Sequence, residues 1–376
     1  MTRIELVQYS ALIVFAVNSL LLGGLIALKS VNRRRVKHHD RRRKSYLALL
    51  SRHVAYENCT DPITAEMAED PAFLDALLEV RNAVAGPELA TLLDIVSRHG
   101  VLQRQTDRLR SPFPLGRRLR AAVALAEIGD ESSAPVLMEH LEDRVPEIRI
   151  QSARGLGRIQ WTPAIDRIVW RFSVETPWVR ARFSDTLTRF GAKATWPLIA
   201  YIKVNHQFET AGPQFALKTL AQVEDREAVG PILEILEEAN NIEIEIGAIE
   251  ALGELGSPKI APVLHARLES PRWELRAKAA TALGAIGDTQ SVPLLLARLH
   301  DPDWWVRRNS AAAIAQLPGG INSLYEALAY DDRSAADAAA EALTDAGELV
   351  SARRRLAESE SSGADPLLAH MGTREG

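Results

Sequence analysis

Cysteine is nearly absent. Cys59 is the single one in 376 residues, which excludes an intramolecular disulfide framework and any multi-cysteine zinc or iron–sulfur site. Aromatic residues reach only 6%, and Gly and Pro occur singly rather than in clusters, so a β-sandwich or barrel is disfavoured. No nucleophile motif, phosphate loop or metal-ligand spacing is present, which gives no sequence basis for catalysis or for a bound cofactor. The expectation is a protein that is not an enzyme. What the chain does have is 47% hydrophobic and 25% charged residues, with Ala and Leu abundant, a composition that favours helix.

Long apolar runs are missing too, with one exception. Between Leu6 and Leu28 there is no charged side chain, and a helix of that length reaches ~33 Å against a bilayer core of ~30 Å. Nine basic residues follow from Lys29 to Lys44 against the single acid Asp40, while Arg3 and Glu5 ahead of the run cancel. That order is the reverse of a cleavable signal peptide. The positive-inside rule therefore predicts an uncleaved single-pass anchor in the inner (cytoplasmic) membrane, with the N-terminus outside and the rest of the chain in the cytoplasm. Lipid contact is expected through residues 7–28 and the basic residues 29–44. Ser19, Gly23 and Ala27 recur every four residues beside Asn18, a candidate helix-pairing face. The net charge of −4 divides into +8 for residues 29–44 and −12 for residues 45–376.

The rest of the chain repeats. Asp143-Arg-Val-Pro-Glu-Ile-Arg149, Thr176-Pro-Trp-Val-Arg180, Pro271-Arg-Trp-Glu-Leu-Arg276 and Asp301-Pro-Asp-Trp-Trp-Val-Arg307 are versions of one pattern, and the arginines at 149 and 180, and at 276 and 307, are 31 residues apart. The same step places Arg118 before the first and Ala338 after the last, Glu245 lies 31 residues before Arg276, and one longer pair of units fills 180 to 245 with a further anchor near Pro213. After each anchor, apolar residues follow at offsets of four, seven and ten, as in Ala280, Leu283 and Ile286, which is one face of an α-helix. Several of these helices end at Gly, as at Gly129 and Gly287, and a second helix opens with proline, as in Ala134-Pro-Val-Leu and Val292-Pro-Leu-Leu. Two helices per unit, each apolar on one side, bury those faces only by stacking on neighbours. The predicted fold is all-α: an N-terminal transmembrane helix followed by an α-solenoid of helical pairs.

The pattern resembles the HEAT-like repeats of bacterial proteins, in the short form known as the phycobilisome-lyase-type HEAT repeat, over about residues 114 to 345. The resemblance rests most on Asp301-Pro-Asp-Trp-Trp-Val-Arg-Arg308 and on Leu275-Arg-Ala-Lys-Ala-Ala-Thr-Ala-Leu-Gly-Ala-Ile-Gly-Asp288. It implies a ladder of acids and arginines along the stack. Asp143 with Arg149, and Asp301 with Arg307, are six apart and match it, whereas the units near 213 and 245 lack the arginine and Ala338 replaces it in the last.

These readings divide the chain into an anchor (1–28), a basic juxtamembrane segment (29–44), a helical cap (45–113), the solenoid (114–350) and a disordered tail (351–376). The expected role is a membrane-anchored cytoplasmic scaffold or adaptor for protein–protein interaction, with a membrane-bound envelope enzyme such as a polysaccharide glycosyltransferase as partner class. Candidate partner-binding residues are Trp178 and Arg180, Trp273 and Arg276, and Trp304, Trp305, Arg307 and Arg308, the residue types enriched at binding hot spots. Tryptophans wedged between repeats as packing residues are the alternative. A nucleic-acid groove built from the solenoid arginines is a second functional reading, and the acidic body argues against it. An accessory role like that of chromophore lyases is a third, although the family's repeats transfer no active site. His140, His265 and His300 fall near the ends of second helices with no Asp-His-Ser series evident around them.

Overall fold

The computed structural model describes residues 3–56, 61–112, 114–207, 211–351 and 365–372, the side chains of residues 3–19, 23, 26 and 27 excepted. Cys59 lies outside the described residues. Among the described residues every regular element is helical. The chain forms two compact units, Met1–Ile159 and Gln160–Gly376.

The first unit begins with α1 (Arg3–Ala55), one uninterrupted helix of 53 residues. It is followed by α2 (Ala65–Glu69), α3 (Pro71–Ala83), α4 (Gly86–Arg98), α5 (Val101–Arg110), α6 (Leu115–Ile128), α7 (Ala134–Glu139) and α8 (Pro146–Arg158). The C-terminal part of α1 packs along α3. His39 meets Asp75 at 2.8 Å, Arg42 meets Asp70 at 2.7 Å and Arg43 pairs with Glu79, while one turn further on Tyr46 stands edge-on to Phe73 with centroids 5.6 Å apart. Tyr46 and Leu50 then join Phe73, Leu77, Leu92, Val96 and Ile128 in one buried cluster.

This arrangement corrects the single-pass membrane placement. Among the described residues no helix is long and apolar enough to cross a membrane. The physical reason is that residues 6–28 are not an element of their own. The helix continues through all nine basic residues to Ala55, with His39 and Arg43 paired to α3 and Arg42 to its capping residue Asp70. The expected outside-to-cytoplasm orientation falls with the anchor. The pairing face of Asn18, Ser19, Gly23 and Ala27 lies outside the described side chains.

The second unit holds α9 (Ala164–Trp170), α10 (Pro177–Phe190), α11 (Thr195–Asn205), α12 (Gly212–Val223), α13 (Val229–Glu238), α14 (Ile242–Leu255), α15 (Ala261–Leu268), α16 (Trp273–Ile286), α17 (Val292–Ala297), α18 (Trp304–Gln316), α19 (Gly320–Ala327) and α20 (Arg333–Asp345). Shorter and longer helices alternate, and the longer ones from α10 to α20 pack side by side. Their approach is close where a small residue faces a small residue 29 positions on. A Cβ on Gly284 would stand 2.9 Å from the backbone of Ala313, and one on Gly253 3.2 Å from that of Ala282. The first unit repeats the device, since a Cβ on Gly155 of α8 would lie 2.8 Å from the Ala126 backbone of α6.

The long helices of the repeats start at 115, 146, 177, 212, 242, 273, 304 and 333, so the period read from the sequence is the spacing of real elements. Gly129 and Gly287 close α6 and α16 with φ of 69° and 73°, a conformation that costs most residues free energy and glycine little. The tail departs from expectation in part. α21 (Pro366–Gly372) is helical, with Leu367 buried and His370 bonded to Asp337 of α20 at 2.8 Å, while residues 352–364 and 373–376 lie outside the described ones.

Candidate protein-binding ridge

Arg118, Arg149, Arg180, Arg276 and Arg307 are each the fourth residue of a long helix. A cation there meets the positive end of the helix dipole and needs compensation. The structure supplies it twice over. Arg149 donates to the Asp143 carbonyl at 2.8 Å, Arg276 to the Ser270 carbonyl at 2.9 Å, and Arg307 to the Asp301 carbonyl at 2.8 Å. Each side chain thus ties its helix to the loop six residues earlier. The carboxylates go elsewhere: Asp301 receives both arms of the Arg276 fork at 2.7 Å, and Asp143 is paired with Arg118. One aspartate therefore joins two repeats, its carbonyl to its own repeat's arginine and its carboxylate to the arginine of the repeat before. The ladder suggested by the six-residue spacing exists, but the acid–arginine pairs in it are 25 residues apart.

Burial strengthens these pairs. Asp301 keeps 2% of its side-chain surface exposed and Arg276 11%. Burial alone would raise the Asp301 carboxyl; the hydrogen bond from Arg276, one from the Asp303 backbone and the nearby guanidinium charge outweigh it and hold the group below the usual Asp range. The bond to Asp301 in turn raises Arg276 above the ordinary arginine value. Arg180 is used internally as well, donating from Nε to the Phe172 carbonyl at 2.7 Å and lying over the Phe215 ring at 5.6 Å.

The tryptophans behave differently. Trp178, Trp273, Trp304 and Trp305 stand at the starts of α10, α16 and α18 and keep between 39% and 49% of their surface accessible. They are not wedged out of solvent between repeats. Trp304 and Trp305 meet edge to face with centroids 4.6 Å apart, and the Arg308 guanidinium lies 5.4 Å from the Trp304 ring while bonding Glu341 at 3.1 Å. So of the eight sequence candidates, the structure gathers Trp304, Trp305 and Arg308 into one patch and sets Trp273 one repeat away. Arg276 and Arg307 belong to the internal ladder, Arg180 is held by the Phe172 carbonyl, and Trp178 stands apart on α10. Two further exposed indoles, Trp170 on α9 and Trp196 on α11, escaped the sequence reading because they fall outside the repeating pattern.

A second correction concerns His265. Its Nε2 lies 3.0 Å from Asp288 Oδ2 and 2.7 Å from Ser291 Oγ, an Asp-His-Ser grouping that sequence did not reveal because the fold closes a gap of more than twenty residues. It is not a catalytic triad. In a triad the carboxylate orients one ring nitrogen while the other takes the serine proton, and here both groups share Nε2. Ser291 is fully buried and also donates to Asp288. Burial would raise the Asp288 carboxyl, and the bonds from Ser291 and His265 outweigh that and hold it below its ordinary value. The cluster fastens α15 to the turn before α17.

Antiparallel helix pairs repeating at 31 residues, with an internal acid–arginine ladder and no strand among the described residues, define an α-solenoid. The HEAT-repeat family model matches residues 106–182, 197–274 and 261–344, more than half of the sequence, and the chain belongs to that family. No curated protein sequence matches the chain. Among solved structures, the karyopherin Kap121p bound to the extreme C-terminus of the protein phosphatase Cdc14p is similar at 14% identity with a TM-score of 0.52, covering 76% of this chain and 39% of that one. Kap95p, from a structure that describes its binding to RanGDP, is similar at 15% identity with a TM-score of 0.50, covering 75% and 44%. An engineered protein aligns over 89% of this chain and 98% of its own at 19% identity, with a TM-score of 0.35. This chain thus spans under half the length of the two karyopherins, and the likeness to them is one of fold.

Proposed function

We propose that this chain is a protein-binding scaffold without catalysis of its own, and that the ridge formed by Trp273, Trp304, Trp305 and Arg308 is where a partner protein docks. Within the family, the short repeat and the Asp-Pro-Asp-Trp-Trp-Val-Arg start of α18 favour the phycobilisome-lyase-type form. The observation that carries the docking proposal is the exposure of large indoles at successive repeat starts. Aromatic area left in water is costly, and Trp with a neighbouring Arg is the composition of binding hot spots. The fold is suited to the role: Kap121p, built on a similar solenoid, is described as holding the C-terminus of a phosphatase. The nucleic-acid reading loses its footing, since Arg180, Arg276 and Arg307 are already occupied within the protein. With the single-pass placement overturned, the expectation of an envelope enzyme as partner has no support.

A photo-crosslinking amino acid at position 273 or 305 in cells, compared with one at the exposed Lys259, tests the proposal. The scaffold reading expects one defined protein crosslinked from 273 and 305 and absent from 259. Identical products from all three positions would overturn it, as would a saturable enzymatic turnover abolished by a single substitution.

A further inference from the structure

We propose that the first unit carries a binding site for a phosphate monoester, in the cavity between α3, α5 and α6. The cavity encloses about 420 Å³ and is lined by Pro71 and Leu74 of α3, Gln105 and Arg108 of α5, and Arg117 and Arg120 of α6. Three guanidinium groups border it and no carboxylate does. Positive groups converging on one space make it favourable for an anion.

Gln105 is the second and independent sign. Its side chain is 4% exposed, it borders the cavity, and it makes no hydrogen bond to any described group. Polar side chains this well covered are almost always partnered, so an amide that bonds no protein group and opens on the cavity is a donor available to a ligand there. Arg108 and Arg120 also have no ion pair or hydrogen bond among the described residues. This is not a general property of the surrounding arginines. Arg104, on the same helix, donates to the His99 and Ala68 carbonyls at 2.7 and 3.0 Å, Arg110 bonds Glu139 at 3.0 Å, and Arg118 pairs with Asp143. Arg108, Arg120 and Gln105, which lack such partners among the described residues, all line this cavity.

The chemistry selects the ligand class. Planar guanidinium forks on two different helices, together with an amide N–H, offer more donors from more directions than the two oxygens of a carboxylate accept. A tetrahedral phosphate accepts all of them. The lining has no aromatic ring on which a base would stack, and Pro71 and Leu74 give an apolar wall for the carbon side of an ester. A phosphorylated side chain of a partner protein and a small phosphorylated metabolite share this chemistry. The inference stands apart from the indole ridge, which lies in the other unit.

Isothermal titration of the full chain with inorganic phosphate, O-phosphoserine, and a phosphoserine peptide beside its unphosphorylated form tests it. The expected result is saturable 1:1 binding of O-phosphoserine, weakened ~10-fold or more by Arg108→Ala or Arg120→Ala, as for loss of a charge-assisted bond. The near-isosteric Gln105→Glu is expected to abolish binding with the circular dichroism melt unchanged, and Arg110→Ala, which removes an arginine outside the lining, to leave affinity as it was. A phosphopeptide that binds ~10-fold tighter than O-phosphoserine identifies a protein segment as the source, and equal affinity identifies a small ligand. No saturation by ~10 mM phosphate compound, or wild-type affinity in both arginine variants, overturns the proposal. Affinity that climbs with oligonucleotide length and falls steeply with salt overturns it too, because it would reveal a track for a phosphate backbone.

Discussion

The two units share a construction and differ in surface. Both place small residues where long helices touch, Gly155 against Ala126 in the first and Gly284 against Ala313 in the second. Both hold neighbouring repeats with an arginine and an aspartate 25 residues apart, Arg118 with Asp143 and Arg276 with Asp301. Yet residues 1–159 contain 23 Lys and Arg against 19 Asp and Glu, a net +4, while residues 160–376 contain 22 against 30, a net −8. All seven tryptophans, from Trp161 to Trp305, fall in the second unit. The difference teaches that the repeat dictates packing and leaves the solvent face free, so recognition must be sought in what each unit adds to the shared frame.

If the ladder holds that frame, breaking it should be the most damaging change. Arg276→Ala leaves a buried carboxylate without its cation and is expected to cost about 3–5 kcal/mol, read by denaturant melts, with hydrogen exchange accelerated across α16 and α18. Arg118→Ala in the first unit, where the arginine side chain is 23% exposed, should cost less, about 1.5–3 kcal/mol. Equal losses at the two positions would mean that burial does not set the strength of these pairs.

Next in size is the small-residue contact. Gly284→Val drives methyl groups into the Ala313 backbone and should cost about 1–3 kcal/mol, with Gly155→Val doing the same in the first unit. Gly256→Asn is a useful contrast: nothing lies within 4 Å of its Cβ position and φ is 66°, so only backbone strain is introduced, which Asn tolerates at about 1 kcal/mol or less.

Acid provides a gentler probe of the second unit. Asp288 and Asp301 are held below the ordinary carboxyl range by their bonds, and Asp332 is lowered chiefly by its bond with His300. A carboxyl depressed in the folded state contributes stability that is full above its unfolded value of about 3.9 and is lost as pH falls through the folded value. The second unit should therefore loosen below about pH 4. Tryptophan fluorescence reports that unit alone, since the first has none. Emission that shifts only above pH 5, or a melt independent of pH between 2 and 5, would contradict this.

Much of the frame was legible in the sequence and much of the chemistry was not. The 31-residue step, the proline starts and the glycine ends are local, and Gly129 and Gly287 adopt the positive φ their positions called for. The ladder was half legible. Asp301 and Arg307 are close in sequence, but their link is through a carbonyl, and the carboxylate reaches Arg276 only because repeats stack. His265 with Ser291, and Gln105 beside Arg120, leave no periodic trace because packing of different helices brings them together. The apolar window at residues 6–28 is not an element of its own for a related reason: the helix it belongs to extends to Ala55 and is fastened by its charged half. Trp170 and Trp196 lie on α9 and α11, away from the starts of the long helices, and so outside the repeating pattern.

The smallest expected effect on stability is also the most informative about function. Trp304 and Trp305 are half-exposed and leave the ladder untouched, so replacing both with Ala should shift the melting midpoint by only about 2 °C. The decisive measurement is the affinity of the crosslinked partner, once purified, for the wild-type chain and for Trp304→Ala/Trp305→Ala. The account predicts a loss of ~30-fold or more with the fold intact, as for removal of a hot spot. An unchanged Kd would contradict it.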